Sequence, residues 1–142
     1  MTINQLSIFI ENRSGTLIKV LEVLKQSGIQ IVASTIADTA EYGIYRLICS
    51  EPLRAYEELK NAGVAVAQSD VFAIELDNHP GSAADAIAAF AQEGVGIVYL
   101  YSFLLGGKGV LIFRTDNAEQ ARATISQNGL KYIAEQDLTQ FA

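Results

Sequence analysis

The chain has 142 residues, 50% of them hydrophobic, and ten Lys and Arg against sixteen Asp and Glu leave a formal net charge of −6. Enough apolar chain is present for two small domains or one fused pair, and the acidic balance excludes a nucleic-acid backbone as an attractive partner. Apolar runs stop well short of the roughly 20 residues that span a bilayer, and MTINQLSIFI has neither a cationic leader nor a small-residue cleavage site, so a cytoplasmic protein without a membrane partner is expected.

Leu6 to Glu11 is apolar and β-branched and ends at the turn-forming Asn12-Arg13-Ser14-Gly15, which predicts a strand and then a loop. Leu17, Val20, Leu21 and Leu24 recur with helical spacing up to Ser27-Gly28, a helix with its C-terminal stop. Gln30 to Ala37 and Gly43 to Cys49 read as a hairpin around the polar Asp38 to Tyr42. The single cysteine, Cys49, excludes an intrachain disulfide and reads as a buried strand thiol. Arg46 within that run reads as a cation reaching out from a solvated sheet face. Pro52 opens a second helix with Tyr56, Leu59 and Ala62 on one side, Gly63 ends it, and Val64 to Val66 returns as a strand. Gln68-Ser69-Asp70 is then expected to be a tight turn.

The second half repeats the plan: strand Val71 to Leu76, helix Ser82 to Gln92, strands Val95 to Phe103 and Gly109 to Arg114, helix Ala118 to Gln127, strand Leu130 to Ala134. At an offset of 66 residues Asn12 falls on Asn78, Gly15 on Gly81, Gly28 on Gly94, Ile31 on Ile97, Gly43 on Gly109 and Gly63 on Gly129. The chain is therefore two copies of one unit, residues 1–69 and 70–142. Each copy reads βαββαβ, so the fold class is α+β with two ferredoxin-like repeats. The strand after the first helix is an edge in that topology. Setting the two equivalent edges, Gln30 to Ala37 and Val95 to Phe103, side by side gives one eight-stranded antiparallel sheet with four helices on one face.

The loop between first strand and first helix is where the copies share polar and turn residues most closely. Main-chain N–H groups opening a helix bind a carboxylate, and a glycine admits the ligand close to the backbone. The alternative is purely local: Asn12 and Asn78 end strands, and Ser14 or Ser82 caps a helix. Glu11 and Asp77 are placed either to receive an ammonium group or to face water. His79 is an exposed loop histidine open to ligand contact. One histidine makes no metal site, and no metal or cofactor is expected.

Glu11-Asn12-Arg13-Ser14-Gly15-Thr16-Leu17, the apolar helix and Gly28-Ile29-Gln30-Ile31 resemble the ACT domain, a small-ligand-binding regulatory module of amino-acid metabolism. Asp77-Asn78-His79-Pro80-Gly81, followed by Ser82, Ala83 and then Gly94-Val95-Gly96-Ile97, has the same layout. The resemblance implies a non-catalytic tandem ACT protein that binds a free amino acid at the interface of its repeats. It also implies a regulatory or sensor role, with a second copy or a regulated metabolic enzyme as partner. In serine-sensing members a His two residues before the loop Asn and an Asn opening the neighbouring second strand hold the effector. Ile10 and Leu76 stand at the first position here, and Gln30 and Gly96 at the second. The resemblance then pairs Asn78 with Gln30 and Asn12 with Gly96, in sites that are not equivalent.

Two other classes share the βαββαβ plan. A small phosphoryl- or acyl-phosphate-binding enzyme would use Asn12 and Arg13, but the glycine-rich loop of acylphosphatases is absent and His79 replaces Arg13 in the second copy. An RNA-binding module would stack bases on Tyr42, Tyr45, Tyr99, Tyr101 and Phe103, but the charge balance and the missing Lys/Arg-Gly-aromatic signature oppose it.

Overall fold

The structure, a computed structural model, describes residues 1–11, 15–38 and 42–139. The elements in chain order are β1 (Thr2–Glu11), α1 (Thr16–Gln26), β2 (Ile31–Asp38), β3 (Tyr42–Cys49), α2 (Pro52–Asn61), β4 (Val66–Leu76), α3 (Ser82–Gln92), β5 (Ile97–Leu105), β6 (Lys108–Thr115), α4 (Ala118–Gln127) and α5 (Glu135–Thr139). The chain divides into two compact units: Asn4–Ser69 with the chain from Gln136, and Met1–Ile3 with Asp70–Glu135.

In the unit built on the first repeat, β1 pairs antiparallel with β3, and β3 with β2. Alternate β1 residues Leu6, Ile8 and Ile10 point to one face. There they meet Val20 and Leu24 of α1 and Ala55 and Leu59 of α2 in a single buried cluster. The 3.6-residue and two-residue periods thus bring their apolar sides together. In the other unit β4 pairs antiparallel with β6, and β6 with β5. Its core stacks Phe72 on Phe113 with ring centroids 5.5 Å apart, and Phe90 of α3 meets Phe113 edge-on at 4.9 Å.

The repeat extends to individual main-chain bonds. Ser50 N–H donates to Gln30 O (2.9 Å), as Asp116 N–H does to Gly96 O (3.2 Å). Phe9 N–H donates to Ala65 O (3.0 Å), as Glu75 N–H does to Lys131 O (2.8 Å). Even the ladder irregularities correspond, between Ile31 and Ala33 and between Ile97 and Tyr99.

The expected eight-stranded sheet is not formed. Among the described residues there are six strands, ordered β2-β3-β1 in one unit and β4-β6-β5 in the other. Of the expected strand Val64 to Val66 only Val66 is in a strand: it begins β4, which runs straight through Gln68-Ser69-Asp70 into Val71 to Leu76. Those three residues include no Gly or Pro to reverse the chain, and Asn4 Nδ2 donates to Gln68 Oε1 at 3.3 Å. Leu130 to Ala134 contributes only an isolated bridge, Tyr132 to Ile74. A fifth helix, α5, follows and buries Leu138. β1 also begins at Thr2 rather than Leu6, because Ile3 and Gln5 are fully buried and the polar Asn4-Gln5 hides that strand from a hydropathy reading.

Candidate functional site

The two strand-to-helix loops have one backbone plan. Gly15 (φ 95°) and Gly81 (φ 91°) occupy the residue before α1 and α3 in the left-handed region, where a side chain costs about 1–2 kcal/mol. Among the described residues no side chain caps either helix. Ser82 in particular is not a cap, since its Oγ donates backwards to His79 O at 3.0 Å. Thr16 Oγ1 likewise donates to Glu11 O at 2.8 Å. Neither helix start is capped by a described side chain, and at α3 the Ser82 N–H donates to His79 O at 3.3 Å.

Asn12, Arg13 and Ser14 lie outside the described residues. Of the other sequence-predicted positions in the first loop, Glu11 and Gly15 are exposed, while Thr16 and Leu17 are half-buried. In the second loop Asp77, Asn78, His79, Pro80, Gly81 and Ala83 are exposed and Ser82 is half-buried. His79 Nδ1 lies 3.0 Å from Pro80 O, and its Nε2 lies 3.9 Å from Asp77 Oδ2. Asp77, Asn78, Gly81 and Ser82 border a cleft of about 400 Å³ whose other wall is Ser102, Phe103 and Leu104 of β5. The sequence reading places Ser102 and Phe103 in a strand but does not single out these β5 residues as neighbours of the loop. The β4–β6 and β5–β6 registers, Leu76 to Gly109 and Leu104 to Gly109, bring them beside the loop.

Gln30, Ile31, Gly96 and Ile97 do not join this arrangement. They stand at the starts of β2 and β5, and Ile97 pairs with Thr115, at the far end of its ladder from Gly109. Gln30 N–H donates to Ser50 Oγ at 3.0 Å and Gly96 N–H to Asp116 Oδ1 at 3.0 Å.

A second pair of clefts flanks the same loops, at positions equivalent under the repeat. One, of about 600 Å³, is bordered by Phe9, Glu11, Thr16, Lys19 and the Gly63–Ala65 backbone. The other, of about 330 Å³, is bordered by Glu75, Asp77, Ser82, Asp85 and the Gly129–Lys131 backbone. In the latter, Lys108 Nζ meets Glu75 Oε1 at 2.9 Å. That hydrogen bond, opposed by partial burial and helped by the charges of Lys108 and Lys131, holds the Glu75 carboxyl below its ordinary range.

Among the described residues no group of three His, Cys, Asp or Glu is placed to hold a metal ion. No described helix is long and apolar enough to cross a membrane.

The family model for the ACT domain pair matches residues 1–142. The crystal structure of protein BT0572 from Bacteroides thetaiotaomicron is similar over 98% of this chain and 96% of that one, with 37% identity and a TM-score of 0.94. The ligand-free regulatory subunit of aspartate kinase from Thermus thermophilus shares the fold over 87% of this chain and 91% of that one, at 18% identity and a TM-score of 0.63. Its counterpart from Thermus flavus does so at 18% identity and a TM-score of 0.61, over 87% and 90%. A search of curated proteins finds no match. With a family match from first residue to last, the chain belongs to the ACT domain pair family.

Proposed function

We propose that this ACT domain pair is a non-catalytic, cytoplasmic regulatory module that binds a free amino acid at its strand-to-helix loops. It signals occupancy to a second copy of the chain or to a regulated metabolic enzyme. One observation carries the reading: in both repeats a left-handed glycine opens a helix that no described side chain caps, beside a cleft. Main-chain N–H groups and the positive helix end favour a carboxylate at such a place, and every free amino acid has one. The two Thermus structures, named as regulatory subunits of aspartate kinase, support a regulatory rather than a catalytic use of the fold. A ligand that binds one arrangement of the chain better than another would shift the population toward it.

The test is a thermal-shift screen of the purified chain against the twenty amino acids at millimolar concentration, followed by calorimetry. A ligand present at 100 times its Kd stabilises the native state by about 2.7 kcal/mol, so selective stabilisation by one or a few amino acids is expected. Neither a shift nor a binding heat from any of the twenty would end the amino-acid reading.

A further inference from the structure

The second helix of each repeat, α2 and α4, ends in the same way. Gly63 (φ 81°) and Gly129 (φ 62°) follow the last turn in the left-handed region, and Val64 N–H and Leu130 N–H reach back to Leu59 O and Ile125 O, each at 3.0 Å. A glycine is favoured at that position because a Cβ is strained there. The residue before the glycine differs between the copies. It is Ala62 in the first repeat and Asn128 in the second, and Asn128 Nδ2 donates to Thr124 O at 2.9 Å. Ala62 makes the same turn with no side-chain amide, so the turn itself does not require one.

We propose that Asn128 is a site of spontaneous modification, where the chain converts its own side-chain amide to aspartate and isoaspartate. Asn128-Gly129 is the one asparagine–glycine pair in the sequence, the other five asparagines preceding Gln5, Arg13, Ala62, His79 and Ala118. The Gly129 main-chain nitrogen attacks Asn128 Cγ and a C–N bond forms. Nδ2 leaves as ammonia, taking the proton that the attacking nitrogen gives up. Water then opens the cyclic imide at one carbonyl or the other, leaving aspartate or isoaspartate. Water is the co-reactant, and nothing is oxidised or reduced. A glycine nitrogen suits the attack because no side chain crowds it.

Two bonds must open first. One runs from Asn128 Nδ2 to Thr124 O. The other runs from Gly129 N–H to Ser126 O at 3.4 Å, longer than its first-repeat equivalent from Gly63 N–H to Lys60 O at 3.0 Å. Asn128 and Gly129 are both exposed at a helix end, where local opening costs least. The consequences fall on the second repeat alone. Asn128 borders the cleft that Glu75, Asp77 and Asp85 also border, so the product adds a carboxylate to an acidic rim. It also removes the donor to Thr124 O and places negative charge at the C-terminal end of α4, where the helix dipole disfavours it. Isoaspartate lengthens the main chain of the turn by one methylene.

The experiment is peptide mapping by mass spectrometry of the full chain during incubation at mildly alkaline pH, with aspartate and isoaspartate products separated by chromatography. The parent chain is compared with Asn128→Ala, which copies Ala62, and the melting temperature of Asn128→Asp is compared with that of Asn128→Ala. The expected result is conversion at Asn128 at least tenfold faster than at any other asparagine, with isoaspartate among the products, none at position 128 of Asn128→Ala, and a lower melting temperature for Asn128→Asp. Conversion at Asn128 no faster than at the other asparagines would overturn the proposal. Aspartate without isoaspartate would overturn the route through Gly129, and equal melting temperatures would overturn the consequence for α4.

Discussion

Gly96 N–H donates to Asp116 Oδ1 at 3.0 Å, and a Cβ at Gly96 would lie 2.5 Å from Oδ2 of the same carboxylate. The glycine admits the carboxylate against the strand start. Gly96→Ala forces Asp116 away and is expected to cost about 1–2 kcal/mol in urea denaturation, the scale of one charge-assisted hydrogen bond. The double change Gly96→Gln with Asp116→Ser, copying Gln30 and Ser50 of the first repeat, should recover most of that loss. A double variant as unstable as the single one would show that the equivalence of the two strand starts is only geometric.

At Gly81 a Cβ meets nothing within 4 Å, so the whole cost of a side chain there is its φ of 91°. Gly81→Ala should lower stability by about 1–2 kcal/mol without changing the fold. Gly15→Ala, at φ 95°, should match it within experimental error. Equal urea midpoints for Gly81→Ala and the parent chain would mean that the left-handed loop is not retained in solution.

The Glu75 carboxyl is held below its ordinary value of 4.5, first by the hydrogen bond from Lys108. A depressed folded-state value means that unfolding takes up a proton in acid. The contribution is present above the ordinary value and is lost as pH falls through the lowered one. Lys108→Met should therefore lower the urea midpoint more at pH 7 than at pH 3. An identical difference at both pH values would separate the ion pair from stability.

Phe90 is fully buried and packs edge-on against Phe113. Phe90→Ala is expected to cost about 3–5 kcal/mol, a large part of the total for a chain of this size. A melting temperature within a few degrees of the parent would contradict that packing.

β5 carries Val98, Leu100 and Leu104 at 58%, 48% and 69% exposure, with no charge anywhere in the strand. Among the described residues its ladder is with β6. Exposed apolar side chains on a strand are where another strand or chain is most easily accepted. Leu100→Lys should leave stability within about 0.5 kcal/mol and lower the molar mass seen by light scattering at high concentration. An unchanged mass would remove β5 from any assembly.

Local chemistry made much of this molecule readable without coordinates. The periods of Leu17, Val20, Leu21 and Leu24, and of Ser82 to Gln92, depend only on how a helix turns, and α3 and α4 have the bounds that their sequences predict. The turn glycines depend only on backbone sterics, so the repeat and the loops beginning after Glu11 and Leu76 were legible from residue types alone. Strand order was not legible. Which edge pairs with which is decided by hydrogen bonds between segments far apart in the chain. Gln68-Ser69-Asp70 lacks the Gly or Pro of a sharp reversal, but polar residues in a row read as a turn, and only the pairing of the flanking segments makes them part of β4. The clefts follow the same division. Asp77 and Gly81 were visible as loop residues, whereas Phe9, Lys19 and Ala65 border one cleft only because a long-range main-chain bond joins Phe9 of β1 to Ala65, just before β4. Sequence determines each element through interactions a few residues long, and only tertiary pairing decides which of their side chains share a surface.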